Sequence, residues 1–374
     1  MSLPSVHTLD SDQRRAIDMV VEDGSYLVKG EAGTGKSIVL AHAIRTYQVK
    51  HPQARMCVLS YTNALVALLD EMLGTHGVEV MTIHGFMGLS RRPHKKYDCV
   101  FIDEVQDMDV SWAKKIRGHA EKFVFFGDFG QSVYAELHQV ISENELTEWF
   151  NVKAVIKLMV DHRLPRNHRA LVDRIFLTRK LDSSTAIDRR LANAEVTLFH
   201  VANWNEEMAY VCQRAQRTAR PGMPSAVIFE QKKKGGVFRF LHTVDPQHEK
   251  IDPKTVNDEL TKHGVPFRFL GNGEGDLKEA NERALTYVIT WYSVKGLDFE
   301  TVIIPNLSVS PCKGNPLYVA LTRSTRNLIL TYSGNSTPII ETAKACPFVR
   351  TVAADEATGS ARAVERGAVQ EDLF

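Results

Sequence analysis

Gly30-Glu31-Ala32-Gly33-Thr34-Gly35-Lys36-Ser37 has the residue types and spacing of a phosphate-cradling loop, G-x-x-x-x-G-K-[ST]. Its glycines, with Thr34 between Gly33 and Gly35, let backbone N–H groups turn inward onto phosphate oxygens. A helix starting at the loop adds the partial positive charge of its N-terminus. Lys36 can reach β- and γ-phosphates, and the Ser37 hydroxyl can ligate Mg²⁺. Asp103-Glu104 follows the apolar run Cys99 to Ile102. Asp103 there can hold Mg²⁺, directly or through water, and Glu104 can orient and activate an attacking water. Gln131, just past the apolar run Phe123 to Phe126, is placed to sense a γ-phosphate. Together these groups suit binding and hydrolysis of a nucleoside triphosphate.

Such residues need elements to hold them. Ser25 to Lys29 reads as a short buried strand entering the loop, and Ile38 to Ile44 as the helix leaving it. Residues 9–20 read as an amphipathic helix with Asp10 or Ser11 as N-cap and Ala16, Ile17 and Val20 as its apolar stripe. Gln13 lies in its first turn, where an amide suits an adenine edge or simply solvent. Further strands are predicted at 55–61, 78–83, 99–102 and 123–126, alternating with helices, which implies a parallel α/β sheet. Ligands of such sheets gather at the carboxyl ends of the strands, and Tyr61, Thr62 and His84 fall at those ends. In the second half the pattern predicts strands at 155–160, 196–201, 226–229, 265–270, 286–290, 301–307 and 328–332. Helices are predicted there at 205–218, 254–263 and 316–324. This half has no P-loop but offers Arg169 and Arg323. An arginine brought to a γ-phosphate from a second domain stabilises transition-state charge; taken singly, each suits a surface ion pair.

The bulk numbers fit this organisation. The 374 residues suffice for two domains, and 44% hydrophobic with 24% charged residues is an ordinary soluble composition. A net charge of +1 means that any nucleic-acid site must be local. The five scattered cysteines, with no C-x-x-C pair, argue against a zinc site or disulfide framework and suggest a reducing, cytoplasmic location. No apolar run approaches the roughly 20 residues of a membrane span.

The ordered set of motifs resembles the UvrD/Rep/PcrA-like superfamily 1 DNA helicases, from Gln13 to about Tyr332. Gln13 matches the Q motif, residues 30–37 motif I, Tyr61-Thr62-Asn63 the core of motif Ia, and Thr82 to Phe86 the Thr-x-His motif. Asp103 to Asp107 matches motif II, Gly127 to Tyr134 motif III, and Asn167-His168-Arg169 motif IV. Thr290 to Phe299 matches motif V, and Tyr318 to Arg323 motif VI. The resemblance implies an α/β protein of two tandem RecA-like parallel-sheet domains, with ATP and Mg²⁺ in the interdomain cleft and single-stranded DNA across the top. The domains would be 1–152, 153–345 and a flexible tail, 346–374. It also implies that Lys36, Ser37, Asp103, Glu104, Gln131, Arg169 and Arg323 form the ATPase site. Gln13 and His168 would hold adenine, with His168 stacking where Tyr is usual. Gly296 and Asp298 would adjoin the nucleotide, Asp298 near the ribose. Tyr61, Thr62, His84 and Tyr134 would touch the nucleic acid, the tyrosines by base stacking.

Departures from the family pattern matter too. Ala64 stands where Lys is usual and Tyr292 where His is common, and Ala135-Glu136-Leu137 replaces the usual sequence after motif III. The close spacing of Phe86 and Glu104 leaves no room for the usual first accessory domain, and the insertion between motifs IV and V is absent or vestigial. A bare two-domain motor with no evident wedge is expected, moving 3′ to 5′ by resemblance. A nucleotide-gated recruitment module without unwinding, or an RNA-directed helicase, stays open. The basic stretch Arg91 to Lys96 reads either as a phosphate-facing loop or as a solvated turn. After Val352 the composition turns small, polar and charged, ending Gln370-Glu371-Asp372-Leu373-Phe374. This pentapeptide resembles a sliding-clamp docking motif, with Gln370, Leu373 and Phe374 as its contacts; alternatively Leu373 and Phe374 pack on the body.

Overall fold

Apolar runs bounded by turn residues become the strands of two wholly parallel sheets in a computed structural model. It describes residues 5–74, 77–89, 96–132, 139–176, 186–188, 193–229, 231–233, 237–239, 260–262, 264–270, 277–291, 293–307 and 315–353. The first half runs α1 (Ser11–Val20), β1 (Ser25–Gly30), α2 (Lys36–Lys50), β2 (Met56–Ser60), α3 (Asn63–Leu73), β3 (Val78–Thr82) and α4 (Ile83–Leu89). It continues through β4 (Tyr97–Ile102), α5 (Val110–Ile116), β5 (Ala120–Gly127), α6 (Glu143–Trp149) and β6 (Val152–Leu158). The strands lie in the order β3-β2-β4-β5-β1-β6, each neighbouring pair parallel.

Parallel strands are covered on both faces, so they read as continuous apolar runs rather than alternating ones. The period-two pleat still sorts them. Leu27 joins Leu59, Ile102 and Phe125 in one core layer, while Val28 joins Val58, Phe101 and Val124 in the other, under α1 and α2.

A short parallel pair, β7 (Val160–Asp161) and β8 (Ala186–Ile187), flanks α7 (Arg166–Ile175) and leads into the second half. There β9 (Glu195–Val201), α8 (Trp204–Thr218) and β10 (Ser225–Phe229) are followed by an antiparallel pair, β11 (Gln231–Lys233) and β12 (Val237–Arg239). Next come β13 (Phe267–Leu270), β14 (Thr286–Thr290), β15 (Phe299–Ile304), α9 (Asn315–Leu321), β16 (Ser324–Ser333), α10 (Pro338–Lys344) and β17 (Val349–Ala353). The large sheet has the order β13-β14-β10-β15-β16-β9-β17, again parallel throughout. Helix α8 is pinned to it by the buried Glu207 carboxylate. That carboxylate accepts from Thr331 Oγ1 (2.6 Å) and Ser333 Oγ (2.8 Å).

Two expected boundaries move. The strand beginning the second half in the 1–152/153–345 division is β6, and it pairs with β1 in the first sheet. The tail expected from 346 begins later, because β17 pairs in parallel with β9. Which sheet a strand joins depends on long-range pairing, which its own residues do not encode. The predicted helix at 254–263 lies mostly outside the described residues, as do most of the basic stretch Arg91 to Lys96, Tyr134, Tyr292, and the terminal Gln370, Leu373 and Phe374. Among the described residues no helix is long and apolar enough to cross a membrane. Cys57, Cys99, Cys212 and Cys346 are buried, and none of the four is in a disulfide.

The halves interlock at one point beside the site. Gly296, held at a φ of +76°, leaves only enough space for Leu65 of α3; a Cβ there would stand 2.6 Å from the Leu65 side chain. Leu65 thereby joins the core of the second half.

Candidate nucleotide site between the halves

The site is built first around the start of α1. Asp10 Oδ1 accepts the Gln13 N–H at 2.8 Å, and Gln13 Oε1 accepts the Asp10 N–H at 3.1 Å, a reciprocal cap. The remaining Gln13 donor goes to the Thr34 carbonyl (3.0 Å), tying α1 to the P-loop. Gly33 sits at a φ of +85°, where a side chain would strike the Asp161 carboxylate. Lys36 opens α2, and its ammonium folds back over the loop to the Gly30 (2.7 Å) and Glu31 (3.1 Å) carbonyls.

Facing this loop is a cavity of about 440 Å³, lined from the first half by Leu9, Gln13, Gly33, Gly35, Lys36, Ser37 and Glu104, and past β6 by His162, Arg163, Gly296, Asp298 and Arg323. That size suits a small-molecule ligand. The parallel topology delivers these groups, because the P-loop and the Asp103-Glu104 pair both follow the carboxyl ends of strands in one sheet.

Glu104 holds a left-handed backbone, φ 55°, which is rare for a residue with a Cβ and typical of functional positions. Its Oε2 accepts from Gln106 Nε2 (2.6 Å) and lies 3.4 Å from Lys295 Nζ. Lys295 also pairs with the buried Asp107, whose other oxygen accepts from Ser132 Oγ (3.0 Å). Burial lifts Asp103, and the neighbouring Glu104 charge pushes it further, to about 7. Burial acts on Glu104 as well, but Lys295 and Lys36 outweigh it and bring Glu104 down to about 2. Glu104 is therefore the more acidic member of the pair.

On the far wall Asp298 accepts from Arg163 Nη1 (2.5 Å) and lies 3.9 Å from Arg323 Nη1. Arg323 is held by the Val319 carbonyl (2.8 Å) and Thr322 Oγ1 (2.9 Å). Burial, and then the nearby Arg163 charge, lower Arg323 to about 10. Lys36, Arg163 and Arg323 thus share the cavity with two acids, Glu104 and Asp298, each already engaged. Such a cavity fits a polyanion. The Ser37 hydroxyl and the Asp103 carboxylate offer the oxygen donors that Mg²⁺ takes. No cluster of three or more His, Cys, Asp or Glu able to hold a metal occurs among the described residues, so an ion here would draw further ligands from phosphate and water.

Most of the expected nucleotide residues meet: Gln13, Gly33, Gly35, Lys36, Ser37, Glu104, Gly296, Asp298 and Arg323 line the cavity. Thr34 is buried within the loop, its hydroxyl donating to the Glu31 carbonyl (2.9 Å), and Asp103 is buried beside Glu104. Two residues depart. Arg169, expected at a γ-phosphate, is claimed by carboxylates: Nη1 lies 2.8 Å from Glu31 Oε2 and Nε 3.1 Å from Asp173 Oδ1. His168, expected to stack on adenine, is fully buried with Nε2 3.4 Å from the Glu195 carbonyl, and offers no face to a base. Gln131 closes a short 3-10 turn, Phe129–Gln131. The sequence reading did not single out Arg163 or Lys295 as site residues. The strand-end rule could have found Arg163, which follows the apolar run ending at Val160.

The expected nucleic-acid residues follow carboxyl ends of the same sheet. Tyr61 is half-buried after β2 and packs on the core layer of Leu59 and Ile102. Thr62 caps α3, its Oγ1 accepting the Leu65 N–H at 3.2 Å. His84 is exposed after β3, edge-on to Trp112 with ring centroids 4.6 Å apart.

Comparison with known proteins gives two segment matches: residues 13–136 to the AAA domain, and residues 285–331 to the UvrD-like helicase C-terminal domain. No curated protein matches the chain. Similar solved structures include the Pif1 helicase from Candida albicans, at 17% identity and a TM-score of 0.46, covering 90% of this chain and 99% of that one. Arterivirus nonstructural protein 10, a helicase, shares 12% identity at a TM-score of 0.45 over 88% of this chain and 63% of its own. Its complex with DNA shares 13% identity at a TM-score of 0.41, over 90% and 65%. The chain thus spans under two thirds of the arterivirus protein's length.

Proposed function

We propose that this chain, whose residues 13–136 match the AAA domain and residues 285–331 the UvrD-like helicase C-terminal domain, is a superfamily 1 helicase of UvrD-like type, an ATP-driven motor on single-stranded DNA. It is a helicase or translocase of replication or repair, moving 3′ to 5′. The observation that carries this reading is the cavity itself: a P-loop on one sheet faces Arg163 and Arg323 from beyond it.

In this mechanism Lys36 leaves the Gly30 and Glu31 carbonyls for the β- and γ-phosphates, and Ser37 and Asp103 would hold the metal. Mg²⁺, when bound, neutralises charge on the phosphate oxygens. Glu104, kept ionised by its cationic neighbours, orients the attacking water and accepts its proton. Arg323 meets charge developing on the transferred phosphoryl group, drawing the second half onto the first. Tyr61, Thr62 and His84 hold the strand along the sheet edge, with Tyr134 a further contact on sequence grounds alone, and closure of the cleft moves the strand relative to the second half. The sliding-clamp contact through Gln370, Leu373 and Phe374 is part of this proposal on sequence grounds alone. Deleting residues 370–374 would abolish binding to a purified clamp.

The test is the ATPase rate with and without single-stranded DNA or RNA, followed by strand displacement on tailed duplexes of both polarities. Stimulation by DNA, lost in Lys36→Ala and Glu104→Gln, is expected. No stimulation by any nucleic acid would end the motor reading, and stimulation by RNA alone would redirect it.

A further inference from the structure

Residues 161–164 make a turn tied closely to the P-loop. The His162 N–H donates to the Gly33 carbonyl at 3.0 Å. Asp161 Oδ1 accepts the N–H groups of Arg163 and Leu164, each at 3.0 Å. Arg163 Cβ lies 3.2 Å from where a Gly33 Cβ would stand, so the residue is seated directly over the loop. From there the residue lines the cavity with Lys36, Ser37 and Arg323. Nη1 is used by Asp298, but Nε and Nη2 are buried with no hydrogen-bond partner among the described residues.

A guanidinium presents its five N–H donors in one rigid plane. Burying such donors unmade is costly unless a ligand completes them. Asp298, bonded to Arg163 and 3.9 Å from Arg323, joins the two on one wall of the cavity. The unmet need is for acceptor oxygens, on a turn bonded directly to the P-loop.

We propose that Arg163 is a nucleotide-contacting arginine whose Nε and Nη2 take oxygens of the phosphate chain of a bound nucleoside triphosphate. The proposal rests on the nucleotide reading of the cavity. It moves the second arginine contact from Arg169, which Glu31 and Asp173 already hold, to a residue six positions earlier. The contact is preorganised, because the turn that carries Arg163 is bonded to the loop that carries the phosphates.

The full chain and its Arg163→Ala and Arg163→Lys variants are titrated with a fluorescent non-hydrolysable ATP analogue and Mg²⁺. The melting temperature of each unliganded protein is measured alongside. Arg163→Ala is expected to bind roughly 10- to 100-fold more weakly with an unliganded melting temperature like that of the wild type. Arg163→Lys recovers part of the loss, since a point charge lacks the planar fork. Affinity in Arg163→Ala within about twofold of wild type overturns the proposal. So does weaker binding accompanied by a melting temperature several degrees lower, which makes Arg163 structural. Because the readout is binding, it stands apart from the motor reading, which fails instead on absent nucleic-acid stimulation of hydrolysis.

Discussion

Lys295 Nζ lies 3.4 Å from Glu104 Oε2, joining a loop of the second half to the carboxylate that would activate water in the first. The same ammonium pairs with Asp107. All three side chains are largely buried, so the contact is an ion cluster shielded from solvent. Removing one partner of such a cluster leaves uncompensated buried charge, at a cost of about 3–5 kcal/mol. Lys295→Ala is therefore expected to lower stability at neutral pH by about 3 kcal/mol, read from urea unfolding. An unchanged midpoint would mean that the cluster does not form in solution.

Arg169 and Glu31 form the other tight link to the P-loop, at 2.8 Å. Burial opposes the Arg169 charge, but Glu31 and Asp173 hold its proton above the usual arginine range. In a double-mutant cycle, Arg169→Ala and Glu31→Ala should be coupled by about 1–3 kcal/mol of unfolding free energy. Additive effects would show that the pair contributes nothing, and would return Arg169 to the pool of candidate phosphate contacts.

Arg323 predicts the opposite pattern. The residue lines the cavity, and an arginine acting on transition-state charge is worth roughly 10³–10⁵ in turnover. Arg323→Ala should lose at least about 10³-fold in kcat while nucleotide still binds. Turnover within tenfold of wild type, about 1.4 kcal/mol, would remove it from the mechanism.

Gly33 tests the loop geometry. Gly33→Ala forces a Cβ against the Asp161 carboxylate at a φ of +85°, strain of about 1–3 kcal/mol. Relieving it shifts the P-loop. The expected result is loss of nucleotide-dependent stabilisation in thermal melts, with the unliganded protein also less stable. A normal ligand-induced shift would show that the loop tolerates the displacement.

His168 sets a pH dependence. Burial lowers its pKa to about 4, against about 6.5 when unfolded. The unfolded chain therefore takes up a proton that the folded protein refuses. Stability is intact above pH 6.5 and falls as the pH drops from there toward 4, by about 3 kcal/mol in all. His168→Leu should flatten this part of the stability profile, measured by denaturant unfolding between pH 4 and 7. An unchanged slope would assign the acid sensitivity to other groups.

His168 and Arg169 also show where local reading stops. As neighbours on α7 they point about 100° apart, so one enters the core of the second half and the other reaches Glu31. Matching them to a motif identified the helix, but not which side chain faces the cleft. The strands β1, β2, β4 and β5 were legible because a sheet covered on both faces needs uninterrupted apolar runs. The sheet membership of β6 and β17 was not, since partners distant in sequence set it. Arg163 escaped notice because its surroundings, Gly33 and Asp298, lie far from it along the chain.

What the amino-acid order determined by itself was chemistry confined to a few consecutive residues. The loop from Gly30 to Ser37 can only cradle phosphate if its glycines and lysine are adjacent, and Asp103-Glu104 works as a pair because the two are neighbours after one strand. To Arg323, already named from the sequence, the tertiary structure alone added Arg163 and Lys295 beside that site. Packing put Leu65 against Gly296, Lys295 against Glu104, and Arg163 and Arg323 around Asp298. Those meetings join positions more than a hundred residues apart, or different elements of one core, and geometry in three dimensions selects them from among many arginines and lysines of identical local character.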